Sequence, residues 1–306
     1  MLTPEPGGGP GTWIGCPGIL YEPANGRFLL TYRQRRPRGD PANERGWRCA
    51  IAVSRDGERF HDLWSVEKAE LATASMERFC LVPAPHGGYA LYLSYVDPAD
   101  NRWRIDVVEA AAPDAFDVRA RAPALTAAST GTEGVKDPYV LRIGPALYLY
   151  ASYAAAGQLD PVRRVDAHVT ADIYNTGLTS HPTGLALSLD GRDFTWLSEV
   201  LGVGQSWDRY QARLNSIARI GAAWIGFYDG SASERENYEE RCGLAISHDL
   251  LHWTRLTTEH PWVVSPHASG SLRYVDAVPV GNELWLYYEY ARPDRAHELR
   301  LSKVRT

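Results

Sequence analysis

Paired-cysteine motifs are missing from this sequence. Cys16, Cys49, Cys80 and Cys242 show no C-x-x-C spacing, so neither a zinc site nor a disulfide framework is predicted and reduced thiols are expected. A basic field is missing too. The formal charge is -5 and, apart from a local run from Arg33 to Arg38, lysines and arginines do not cluster, which argues against DNA or RNA as a partner. No apolar run approaches the ~20 residues of a membrane span. The first ten residues carry neither the basic stretch nor the apolar core of a secretory signal. A cytoplasmic protein with no membrane partner is expected. Helical periodicity is almost absent, and no His, Asp and Glu cluster has metal-ligand spacing.

What is present is ordinary globular material with an unusual aromatic balance. Of 306 residues, 44% are hydrophobic and 23% charged, and ten Trp and seventeen Tyr outnumber six Phe. Trp and Tyr suit places that are half apolar and half wet, such as strand faces and sugar-binding clefts.

The segment from Gly134 to Tyr153 sets the pattern for the chain. It has a polar start at Lys136 and Asp137, an apolar strand from Tyr139 to Leu141, a Gly144-Pro145 turn and an aromatic strand from Leu147 to Tyr153. Hairpins of the same kind turn at Gly26, at Gly87-Gly88, at Gly221 and at Gly281. A second signature follows three of them. It is an alternating strand ending in Ser54, Ser188 or Ser247, a tight turn at Asp56-Gly57, Asp190-Gly191 or Asp249-Leu250, and an aromatic that opens another strand. Weaker versions run from Trp103 to Ala110 and from Glu298 to Val304.

Four antiparallel strands repeated five times predict an all-β, five-bladed β-propeller, one domain over 1–306 with blades at about 12–66, 73–118, 132–200, 208–257 and 268–305. A β-sandwich also has many short strands, but the recurring two-part signature favours the propeller. The loops 159–183 and 231–240 are long enough to cover one face of the disc.

In such a fold the first strand of each blade lines a central channel, so residues before the turn glycines converge. Lys136, Arg213 and Arg273 each stand eight residues before their glycine, and Arg78 one or two residues further back. Glu77, Asp137 and Asp276 lie beside these cations. One reading is an ion-pair ring that closes the hub. The other is a polar pocket in which carboxylates do acid-base work while cations fix sugar hydroxyls, a carboxylate or a phosphate.

The five-bladed organisation, the Ser-x-Asp-Gly turns and the Lys136-Asp137-Pro138 strand start resemble the superfamily of five-bladed propeller glycoside hydrolases and phosphorylases. The resemblance implies a carbohydrate-active enzyme, with glycoside hydrolysis as the leading expectation. An inverting phosphorylase and a sugar-binding propeller without catalysis are the alternatives. It implies a catalytic role for Asp137, and Glu77 and Asp276, which lie beside the converging cations, are the further catalytic candidates. Substrate would be held by Arg33, Arg78, Lys136, Tyr210, Arg213, Asp229, Glu240, His267 and Arg273. His267 would stand near the central axis, as in the Gly-His-x-Ser motif of the arabinanase-like members, and Tyr32-Arg33 is similar to the phosphorylase branch. No cofactor is implied beyond a structural cation at the axis. The partner is a small carbohydrate or glycoside, anionic ones included.

Departures from the pattern are equally specific. Where arabinanase-like members have Asp-Pro in blade 1, this chain has Cys16-Pro17, and where they carry an acidic glutamate in blade 4 it reads Tyr210-Gln211-Ala212-Arg213-Leu214-Asn215. An inverting pair about 6.5–9.5 Å apart would have to come from Glu77, Asp137, Asp229, Asp276 or the Glu239-Glu240 pair. Otherwise one aspartate works with phosphate, or catalysis is lost. Cys16 is expected to be a buried, unreactive thiol. His168, Asp172 and the His297-Glu298 pair are expected at the surface.

Overall fold

In the computed structural model, residues 2, 10–37, 40, 45–159 and 161–305 are described. Most of the glycine- and proline-rich N-terminal segment, and Arg38 at the end of the arginine run, lie outside them.

The chain is all-β and proceeds as antiparallel meanders. The first is β1 (Trp13–Glu22), β2 (Arg27–Arg35), β3 (Arg48–Ser54) and β4 (His61–Glu67). The second is β5 (Cys80–Pro83), β6 (Tyr89–Val96), β7 (Trp103–Ala110) and β8 (Ala122–Leu125). The third is β9 (Val135–Ile143), β10 (Ala146–Tyr153), β11 (Thr183–Ser188) and β12 (Thr195–Leu201). Then come β13 (Gln211–Ile220), β14 (Ala223–Ser231), β15 (Arg241–Ser247) and the two-residue β16 (Thr254–Arg255). Last are β17 (Leu272–Val280), β18 (Glu283–Ala291) and β19 (His297–Arg305).

The hydrogen-bonded sheets do not divide into five separate four-stranded units, as the repeats predicted. Two sheets have four strands, and the remaining eleven strands form one continuous sheet. The joins are narrow: a single parallel pair, Arg241 with Leu272, links β15 to β17, and another, Trp13 with His297, links β19 to β1. Chain start and chain end are thereby tied together.

Each meander packs its apolar face on the next. Leu29, Ile51 and Val66 meet Leu91 and Leu93. Tyr92 and Ile105 meet Leu147 and Leu149. Tyr150 and Leu185 meet Leu214 and Tyr228. Phe227 and Cys242 meet Val275 and Leu286. Trp285 and Tyr287 of the last meander return to Phe28 and Leu30 of the first.

The recurring Ser-x-Asp turns explain how the meanders lock in register. Ser54 Oγ, Ser188 Oγ and Ser247 Oγ each donate to the aspartate two residues on, at 2.9, 2.8 and 3.1 Å, and each accepts the N–H three residues on. That third residue has φ of 71° at Gly57 and 79° at Gly191, the left-handed conformation glycine adopts without strain, and 68° at Leu250. Its carbonyl accepts a tyrosine hydroxyl from the preceding meander: Tyr92 to Gly191 at 2.8 Å, Tyr150 to Leu250 at 2.9 Å and, closing the ring, Tyr287 to Gly57 at 2.8 Å.

Candidate functional site

The inner strands carry a repeated irregularity. β1, β9 and β17 each contain a bulge, and in each a non-glycine residue takes positive φ: Cys16 (54°), Asp137 (59°) and Tyr274 (52°). An L-residue there costs of order 1–2 kcal/mol, and such strain persists only where the surrounding structure imposes it. All three side chains meet at one point. Tyr274 Oη donates to Asp137 Oδ2 at 3.4 Å and to Glu77 Oε2 at 3.5 Å, and Cys16 Sγ lies 3.5 Å from the same Glu77 oxygen.

Around this point the predicted cations and carboxylates converge as a buried network. Arg213 donates to Asp137 at 2.7 Å and to Asp229 at 2.6 Å, while its ring contact is Tyr274 at 4.0 Å. Arg33 pairs with Glu77. Arg273 bonds Glu240 and, at 2.9 Å, Glu289, which also accepts the Cys16 N–H at 3.0 Å. Arg78 donates its backbone N–H to Asp137 at 3.2 Å and its guanidinium to Asp276 at 2.6 Å. Lys136 Nζ sits 3.9 Å from Asp137 and over the rings of Tyr174 (4.0 Å) and Trp103 (4.9 Å). Arg35 is the exception: it is buried between the rings of Trp13 and Tyr238, at 4.5 and 4.0 Å, with no ion-pair partner among the described residues.

Burial and neighbouring charge separate these carboxyls. Burial lifts Asp229 to about 6 against the pull of Arg213, and lifts Asp276 to about 6 against Arg78. Glu77 and Glu240 are held at about 2, since the surrounding cations, led by Arg33 and Arg273 respectively, outweigh the burial penalty. Below about pH 6 protonated Asp229 and Asp276 therefore stand beside ionised Glu77 and Glu240, the condition for acid and base work in one site under mildly acidic conditions. Burial pushes the Cys16 thiol well up, so it is not a nucleophile.

The network itself is closed to solvent, with Glu77, Asp137, Asp229, Glu240 and Glu289 all buried. Two predicted cover loops meet above it: Asp172 and Asn175 of one bond Tyr238 of the other, and Asn237 bonds Asn175. Beside this cover opens a cavity of about 550 Å³, lined among others by Trp13, Glu239, Ser269, Arg295 and His297. His297 links it to the network. Its Nδ1 is 2.6 Å from Glu289 Oε1, its Nε2 is 3.2 Å from Glu239 Oε2, and its ring stacks on Trp13 at 4.0 Å.

Several expectations need correction. His267 makes no contact with the ionic network among the described residues: it lies in the turn closed by Ser265 and Gly270, where its ring packs edge-on against Tyr290 at 6.2 Å. Tyr210 is outside the ionic network; its hydroxyl donates to the Tyr174 carbonyl at 2.8 Å and accepts from Gly177 N–H at 3.3 Å, pinning the cover loop. His297, Asp172 and His168 are buried rather than superficial because each has a fixed polar partner: His297 its two glutamates, Asp172 the Trp103 indole at 3.0 Å, His168 Glu133 at 3.1 Å. Among the described residues no group of three His, Cys, Asp or Glu could hold a metal ion. The hub carboxylates face guanidinium groups instead. Sequence reasoning missed Glu289, Tyr274, Arg35 and the Glu239 to His297 link; only Tyr274, one residue after a predicted hub cation, carried a positional signal.

No protein-family model and no curated protein matches the chain. Solved structures do. A thermostable family-43 glycoside hydrolase superposes with a TM-score of 0.66 at 13% identity, covering 95% of this chain and 89% of its own. A glycosyl hydrolase from Bacteroides ovatus gives 0.65 at 14%, covering 96% and 84%. A β-1,2-mannobiose phosphorylase from Listeria innocua, solved with β-1,2-mannobiose, gives 0.63 at 15%, covering 99% and 92%. The chain thus shares the fold of these glycoside hydrolases and of this phosphorylase. Its superposition covers nearly the whole chain.

Proposed function

We propose that the protein is a carbohydrate-active enzyme, a glycoside hydrolase built as a single five-bladed propeller whose hub supplies the reacting carboxyls. The five meanders, each packed on the next and the last on the first, are taken as the blades; among the described residues the fifth has three strands in its sheet and the fourth a vestigial outer one. The observation that carries the reading is the convergence around Asp137 of carboxyls whose pKa values burial and neighbouring charge push apart, Asp229 and Asp276 up to about 6 and Glu77 and Glu240 down to about 2, at three strained strand bulges of a fold that glycoside hydrolases share. Asp137 orients and polarises through Arg213, Asp229 or Asp276 holds the proton for a leaving group, and Glu77 or Glu240 stays ionised. Because the hub is covered, substrate reaches it by displacement of the 159–183 and 231–240 loops.

The test is cleavage of a panel of 4-nitrophenyl glycosides (arabinofuranoside, xyloside, mannoside, fructoside) with product analysis, for wild type and Asp137→Asn. Turnover that disappears in the variant supports the reading, and turnover unchanged by it removes Asp137 from the site. One observation favours a second reading, a sugar-binding propeller without catalysis: Cys16 and the carboxylate-free run from Tyr210 to Asn215 stand where carboxylates were expected, and the remaining ones are buried in ion pairs. Sugar binding with no product from any glycoside would establish it. A phosphorylase is supported less, since among the described residues every hub guanidinium but Arg35 already faces a carboxylate.

A further inference from the structure

Tyr174 belongs to the 159–183 cover loop, yet its side chain is fully buried against the hub. Its ring stacks on the His181 imidazole, with centroids 3.9 Å and planes 21° apart, and Lys136 Nζ stands 4.0 Å from its centroid. Burial raises the phenol well above its ordinary range, and Asp137 and Arg213 are close enough to act on it. A buried tyrosine hydroxyl usually finds a hydrogen-bond partner. This one has none among the described residues, and neither has Ser152 Oγ beside it or Nδ1 of His181. Three orphaned polar atoms around one ring mark a polar space that the phenol fills in shape but not in hydrogen bonding. The segment that carries Tyr174 is tied down by side chains rather than by a strand ladder. Tyr210 Oη donates to the Tyr174 carbonyl at 2.8 Å and accepts the Gly177 N–H at 3.3 Å, and Asp172 accepts the Trp103 indole N–H at 3.0 Å. Ala171, just ahead, is held at a positive φ of 53°. Backbone secured in this way opens more readily than a sheet, and the strain at Ala171 is released when it does.

We propose that Tyr174 is an autoinhibitory plug: its ring occupies the space beside His181 and Lys136 that a sugar ring takes, and a glycoside binds there only when residues 171–178 withdraw. The inference rests on the carbohydrate reading above and deepens it, naming the part of the cover loop that competes with substrate and the groups that meet the sugar once it has left. A six-membered ring bearing a hydroxyl is also the outline of a pyranose, so plug and ligand match in size. The sugar's several hydroxyls supply Ser152 Oγ and His181 Nδ1 with the hydrogen bonds that a single phenol leaves unmade. The imidazole face released by Tyr174 becomes the surface on which the sugar ring stacks. Lys136, relieved of the Tyr174 ring, donates to a sugar oxygen from the strand that also carries Asp137. Closure lowers the apparent affinity by the fraction of molecules in which the plug is out.

The experiment is titration calorimetry of the full chain with the methyl pyranosides of xylose, mannose and galactose and with methyl arabinofuranoside, for wild type, Tyr174→Ala and Tyr210→Phe, with 4-methylphenol as the probe of the emptied space. Tyr174→Ala should bind 4-methylphenol and gain melting temperature from it, whereas wild type should do neither. At least one glycoside should bind Tyr174→Ala ~10-fold or more tighter than wild type, and saturating 4-methylphenol should abolish that gain. Tyr210→Phe, which removes the hydroxyl tether and leaves Tyr174 in place, should give a smaller gain in the same direction. In wild type the amides of residues 171–178 should exchange with deuterium faster when the glycoside is bound. Should Tyr174→Ala not fold, the Tyr210→Phe affinity and this exchange decide the matter. A glycoside bound equally by wild type and both variants, or bound by Tyr174→Ala without competition from 4-methylphenol, overturns the plug while leaving the carbohydrate reading standing. Weaker binding by Tyr174→Ala than by wild type also overturns it, since Tyr174 would then be a contact of the sugar. Binding of no glycoside by any of the three proteins overturns the carbohydrate reading itself, and this inference with it.

Discussion

The Tyr274 hydroxyl lies 3.4 Å from Asp137 Oδ2 and 3.5 Å from Glu77 Oε2, one donor shared by carboxylates from two different meanders. The ring beneath it is covered by Arg213 at 4.0 Å and Arg273 at 5.0 Å. Tyr274→Phe keeps both cation contacts and removes only the donor. Leaving two buried acceptors short of a partner costs about 1–3 kcal/mol, so urea denaturation should show a loss of that size. A change below about 0.5 kcal/mol would mean that the hydroxyl is not the bridge.

Asp137→Asn is the sharpest test of catalysis. Asparagine tolerates the positive φ of 59° at this position, and Arg213 keeps Asp229 as a partner at 2.6 Å. The fold should survive with reduced stability, and turnover of any glycoside that wild type cleaves should drop ~10²-fold or more. Circular dichroism and initial rates on one preparation separate the two effects.

Ring closure depends on Tyr287 in the same way that inner contacts depend on Tyr92 and Tyr150. Tyr287→Phe removes the bond to the Gly57 carbonyl and should cost roughly 0.5–1.5 kcal/mol. Gly57→Ala should cost more, because φ is 71° and an added Cβ would stand 2.4 Å from the Trp285 ring. The order of the two thermal shifts is the measurement; a milder Gly57→Ala would contradict the packing at this turn.

Stability should pass through a maximum in mild acid. Asp229 and Asp276 keep their protons to about pH 6 in the folded protein but release them near 3.8 when unfolded, so the folded state holds more protons and stability falls as pH rises across that window. Glu77 and Glu240 act oppositely. Ionised down to about 2 when folded and to 4.5 when unfolded, they lend stability that is complete above 4.5 and lost as pH falls toward 2. Denaturation midpoints at about pH 3, 4.5 and 7 should therefore peak at the middle value. Asp276→Asn should flatten the decline above it, and an unchanged decline would take Asp276 out of the account.

The sequence by itself determined the strand repeat. Alternating aromatics between glycine turns, with Ser-x-Asp closing the outer hairpins, leave the backbone few alternatives, because turn chemistry and period-two burial are local properties. The same locality made Lys136, Arg213 and Arg273 legible as a set: equal spacing to a turn puts them on one rung. Tertiary structure alone decided what those cations face. Glu289 reaches Arg273 from the neighbouring strand, and Tyr274 reaches Asp137 across 137 residues of chain. His297 looked like a surface residue until strand β19 met β1 at Trp13 and closed the ring around it. Whether a carboxylate is open to solvent depends on long-range packing of loops, which no spacing encodes. That is why the hub proved to be buried, and Glu239 rather than a hub carboxylate reaches the cavity.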